Sequence, residues 1–108
     1  MNARTLIEQV VAGAEPRRVL TEGTKISVMH LPDSVVAKVI HTMGTKAAYL
    51  DKQQVRINCT KQGEWVRAEI IPSHGPTLHV VLTDIANVGG GSRLSLTWDL
   101  QMIIVEIL

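Results

Sequence analysis

From Gly23 onward the chain is a succession of short β-branched runs cut by turn residues, and this pattern constrains the fold more than any single motif. The runs fall at Lys25 to Leu31, Val35 to Thr42, Lys46 to Leu50, Val55 to Thr60, Glu64 to Ile71, Thr77 to Thr83, Leu94 to Trp98 and Met102 to Ile107. The connections at Asp51-Lys52, Lys61-Gln62-Gly63 and Pro72-Ser73-His74-Gly75-Pro76 are too short for the crossovers that parallel strands need, so neighbouring strands are expected to be antiparallel. The expected fold is mainly β, of the α+β kind: an antiparallel β-sandwich or a partly open barrel with one N-terminal amphipathic helix.

Side-chain alternation tells which strands have a wet face. Val55, Ile57 and Cys59 alternate with Arg56 and Asn58, and Leu94, Leu96 and Trp98 alternate with Ser95 and Thr97. Met102-Ile103-Ile104-Val105 is instead apolar on both faces, which predicts a central strand covered on each side or a strand completed by another subunit. Pro32-Asp33-Ser34 is also a capping sequence, so Val35 to Ile40 has a helical alternative.

The residues before Gly23 follow a different period. Asn2 is placed to cap a helix whose apolar residues Leu6, Ile7, Val10 and Val11 fall on one face, with Arg4 and Glu8 four apart on the other. Gly13 ends that pattern, and Pro16 opens a short turn from Arg17 to Leu20. The chain therefore divides into a helical segment, 1–22, and an antiparallel β domain, 23–108. With only Tyr49, Trp65 and Trp98 as aromatics and no Phe, the core must come from Val, Ile, Leu and Met, and either Trp is expected to be costly to lose.

A net charge of +1 supplies no long-range field for phosphates or an anionic leaflet, so a nucleic-acid partner is disfavoured. The nearest approach to a nucleic-acid face is Arg56, Lys61, Trp65 and Arg67 around the Thr60 to Gly63 turn, but a core Trp65 beside a solvated charged edge is the favoured reading. No apolar run is long enough to span a bilayer and no signal peptide is visible, which gives no membrane partner and a cytoplasmic default.

Chemistry-bearing residues are few. His30, His41, His74 and His79 have no spacing that forces a shared metal, and Cys59 on an alternating strand reads as a small core residue. Hydrolase and phosphotransfer signatures are lacking, so no catalytic residue, cofactor or metal is expected. Gly89-Gly90-Gly91-Ser92-Arg93 reads as a hairpin tip or as a loop that orders on a partner, with Arg93 at its edge.

The opening Met-Asn-Ala-Arg-Thr-Leu-Ile-Glu-Gln-Val-Val-Ala-Gly-Ala-Glu-Pro-Arg-Arg-Val-Leu resembles the N-terminal segment of small tailed-bacteriophage proteins over about the first fifth of the chain. Leu20-Thr21-Glu22 before Gly23 resembles the Leu-x-Glu site of prohead proteases, making Glu22 and Gly23 a candidate cleavage junction. The resemblance implies a non-enzymatic phage protein that binds other protein, as a virion or assembly component that self-associates, located in the host cytoplasm or the virion. Its expected contacts are Leu6, Ile7, Val10, Val11 and Arg93. The alternatives are an early protein that modulates one host enzyme or defence protein, and a small β-barrel that binds nucleic acid.

Overall fold

Eight strands account for most of the chain in the computed structural model, which describes residues 25–26, 31–89 and 92–108. They are β1 (Lys25–Ile26), β2 (Ser34–Met43), β3 (Gln54–Gln62), β4 (Trp65–Pro72), β5 (Leu78–Leu82), β6 (Asp84–Asn87), β7 (Arg93–Trp98) and β8 (Gln101–Ile107). All pairings are antiparallel, and the strands follow the order β1-β6-β7-β8-β2-β3-β4-β5 in one sheet.

The sheet rolls into a barrel that is nearly closed. Only Thr83 separates β5 from β6, so the two are one bent strand: its first half pairs with β4 and its second half with β7. Thr83 holds the bend by donating both its backbone N–H (2.8 Å) and its hydroxyl (2.9 Å) to the Thr97 carbonyl. Such an offset between a strand's two partners is what the stagger of a closing barrel requires. Of the two expected architectures the barrel is the one formed. The expected N-terminal helix lies outside the described residues, as do most of the Lys25 to Leu31 run and His30.

One side chain in two points inward and fills the barrel. Val35, Ala37 and Val39 of β2, Val55, Ile57 and Cys59 of β3, and Val66, Ala68 and Ile70 of β4 are buried. Leu94, Leu96 and Trp98 of β7 and Ile103, Val105 and Ile107 of β8 meet them, with Leu31 and Leu50 among the largest fully buried side chains. Burying a Leu, Ile or Val side chain contributes about 1.5–3 kcal/mol, so this aliphatic lining is the main source of stability. The strand β8 is central as expected, paired with β7 on one side and β2 on the other.

Two local expectations are revised, and of the two readings of Val35 to Ile40 the strand is the one formed. Lys46 to Leu50 is not a strand: Ala48–Leu50 is a 3-10 turn in which Leu50 N–H donates to the Ala47 carbonyl at 3.0 Å. Its two buried residues, Ala47 and Leu50, are three apart, which suits one turn of helix and not a strand's period of two. Asp84–Asn87 is a strand although Asp and Asn disfavour one, because the bend at Thr83 carries it onto β7. Ser34–Met43 is a strand throughout, not a helix; its register shifts between Val39 and His41, leaving Ile40 as the extra residue of a bulge.

Candidate functional site

Burial of the core leaves the two halves of the barrel's outer wall with different characters. On β3, β4 and β5 every second residue points outward, and Arg56, Thr60, Trp65, Arg67, Glu69, His79 and Val81 are all exposed. The register sets Thr60 against Arg67, Glu69 against His79 and Arg67 against Val81, and this part of the wall carries a shallow hollow of about 430 Å³.

Trp65 is the departure from expectation. It is not a core residue: 61% of its surface is exposed, whereas Trp98 on β7 keeps only 3%. The inward positions of β4 are Val66, Ala68 and Ile70, so the alternation that buries them turns Trp65 out. It lies diagonal to Val81, itself 39% exposed, and the two share a hollow of about 350 Å³ with Glu64, Leu82 and Thr83. A large exposed aromatic beside an aliphatic residue is the composition found at the centres of protein interfaces.

The far edge of β5 adjoins this corner. Among the described residues no strand pairs with it, and a hollow of about 450 Å³ separates it from Lys46, Trp98 and Asp99. Its sequence, Leu-His-Val-Val-Leu, has none of the lysines or prolines with which sheet edges are commonly protected from pairing.

The expected nucleic-acid cluster does not form one face. Lys61 shares the parity of buried Cys59, turns away from outward Arg56 and Arg67, and pairs with Asp33 at 3.2 Å. Arg56 donates to the Ser34 hydroxyl at 3.3 Å, and exposed Glu69 follows two places after Arg67. A basic stripe for a phosphate backbone is thus interrupted.

The histidines are dispersed. His41 is on the β2 bulge, His79 faces out from β5, and the His74 backbone N–H donates to Gln53 Oε1 at 2.9 Å. Among the described residues no three His, Cys, Asp or Glu side chains come close enough to hold a metal ion. Cys59 is buried opposite Ala68; burial pushes its thiol up to about 11, with Lys61 pulling it down and Asp33 adding to the rise. Such a thiol is a poor nucleophile at neutral pH.

Arg93, an expected contact residue, opens β7 and lies 3.7 Å from Glu106 across the β8 pairing. It rims a hollow of about 300 Å³ with Ile40, His41, Val88, Gly89 and Ile104. The glycine run links antiparallel β6 and β7 and precedes no helix, so it lacks the strand-to-helix setting of a phosphate loop. The other expected contacts, Leu6, Ile7, Val10 and Val11, and the junction Glu22 and Gly23 lie outside the described residues.

At the β7–β8 hairpin, the pair Trp98 and Gln101 closes a two-residue turn with φ of 40° at Asp99 and 60° at Leu100. Such turns favour Asn-Gly, and a branched apolar side chain in the left-handed region is a local cost. Leu100 is 94% exposed, so nothing it buries within the described chain offsets that cost. Sequence pattern did not single it out, although the pair Asp99-Leu100 between two strands was the available signal.

Among the described residues no helix is long and apolar enough to cross a membrane. Comparison of the chain with known protein families, curated proteins and solved structures finds no match in any of the three.

Proposed function

We propose that this chain works by binding protein, first of all further copies of itself, as a structural component of an assembly. The observation that carries this reading is the edge of β5, which pairs with no strand among the described residues, flanked by exposed Trp65 and Val81. An unprotected edge offers unsatisfied backbone donors and acceptors to another strand, and the adjacent aromatic supplies an apolar anchor. Two copies meeting edge to edge about a twofold axis would join their sheets and cover both tryptophans.

The assembly is of the tailed-phage kind on the strength of residues 1–23 alone, whose resemblance points to a virion or head-assembly component made in the host cytoplasm. The mechanism has no chemical step: strand addition orients the partner and burial of Trp65 and Val81 supplies affinity. The test is the solution mass of the full chain by light scattering, beside a Trp65→Ser, Val81→Ser variant. A defined oligomer that reverts to single chains in the variant is expected. A parent that stays single at every concentration would overturn self-association and redirect the search to one host protein.

A further inference from the structure

The second half of the outer wall has no exposed apolar anchor on β6 to β8, and apart from Arg93 its outward residues are buried or half-buried. On β6, β7 and β8 the side chains of Ala86, Ser95, Thr97, Met102, Ile104 and Glu106 point outward by the same alternation that buries Leu94, Leu96, Ile103 and Val105. None of these outward residues is exposed, and Ser95 keeps only 6% of its surface. Among the described residues, the elements that make the main contacts with β7 and β8 are their neighbours in the sheet and β5. Ile104 and the bulge residue Ile40 meet on this wall, at the hollow of about 300 Å³ rimmed by Arg93 and Gly89.

We propose that this hollow and the apolar row beside it are the seat of the chain's own first 24 residues, with the stripe Leu6, Ile7, Val10 and Val11 lying against Ile40, Met102 and Ile104. The direction of β1 indicates this occupant. Lys25 pairs with Ala86 and Ile26 with Ile85, so the N-terminal end of β1 lies at the Asn87 end of β6, where the hollow opens. A helix rises about 1.5 Å per residue, so a segment of the length of residues 1–24 can cross the three inter-strand spacings of about 4.8 Å from β6 to β2. The stripe needs an apolar partner, and between the Arg93–Glu106 pair and the β7–β8 turn this wall presents Ser95, Thr97, Met102 and Ile104, where the opposite wall presents Arg56, Arg67 and Glu69. The expected contacts Leu6, Ile7, Val10 and Val11 are then satisfied within the chain, which leaves Trp65 and Val81 for other molecules.

Paramagnetic broadening in the full chain tests the seat. A nitroxide is attached at Val10→Cys, the native Cys59 being buried with a raised thiol pKa, and amide signals are compared between the two walls. Selective broadening of Ser95, Met102 and Ile104, with Arg56 and Glu69 unaffected, is expected. In a mixture of unlabelled-nitrogen, spin-labelled chain with ¹⁵N chain lacking the label, those signals should stay sharp. Gln9→Cys, one place off the stripe, repeats the reading in case the label at position 10 displaces the segment. Uniform or absent broadening from both positions would overturn the proposal, and broadening that appears only in the mixture would assign the seat to a second copy and overturn it as well.

Discussion

The outer walls of the barrel differ in what their alternation leaves exposed. Along β3, β4 and β5 the outward residues are charged, polar or, in Trp65 and Val81, apolar and open to solvent. Along β6, β7 and β8, the Arg93–Glu106 pair and Asp84 apart, they are small, polar or apolar side chains that are buried or half-buried. The inward faces are alike, so the contrast teaches that the core specifies the barrel while the outward set gives its two walls different exposure.

Substitution breaks that contrast most sharply on neighbouring residues of β8. Ile103→Ala empties a fully buried site and is expected to cost about 2–5 kcal/mol in urea unfolding. Ile104→Ala, one residue on, should cost about 1–2 kcal/mol because that wall is half-buried. Arg56→Ala, on the exposed wall, should stay within about 0.5 kcal/mol. Equal losses for Ile104 and Arg56 would erase the distinction between the walls.

The tryptophans give the same comparison in a single residue type. Trp98→Ala should destabilise by about 3–5 kcal/mol. Trp65→Ala should shift the unfolding midpoint of the isolated chain little while weakening association, since its ring is mostly in solvent. Contrary to the sequence expectation, the two are therefore not equally costly to lose.

Smaller effects are expected at the turns and from titration. Leu100→Gly relieves a left-handed residue at the β7–β8 hairpin and should stabilise the fold by about 1 kcal/mol, less the backbone entropy that glycine adds to the unfolded chain. Cys59 has a folded pKa raised to about 11, above that of a free thiol near 8.5. Its contribution is thus fully present below the unfolded value and lost as pH rises from about 9 toward about 11. Chemical denaturation at stepped alkaline pH should show that loss in the parent and a weaker one in Cys59→Ala.

Much of the wall was legible before the fold was known. Val55, Ile57 and Cys59 against Arg56 and Asn58 marked β3 and its wet face, and the doubly apolar Met102 to Val105 offered a central strand or one completed by another subunit, of which β8 takes the central place. What pattern could not supply was the bend. Thr83 joins β5 and β6 through two hydrogen bonds to the Thr97 carbonyl, a long-range contact with no local signature, and Asp84–Asn87 is a strand only because of it. Trp65 was misread for a related reason: hydrophobicity argues for burial, while the parity of Val66, Ala68 and Ile70 decides against it.

The most direct test of the account uses the fact that one tryptophan is exposed and the other buried. Acrylamide quenching of tryptophan emission, followed as the chain is concentrated through its association range, reports Trp65 while Trp98 stays protected throughout. The account predicts that the quenchable component shrinks as solution mass rises. A component that stays fully quenchable while mass rises would place the contact elsewhere and contradict it.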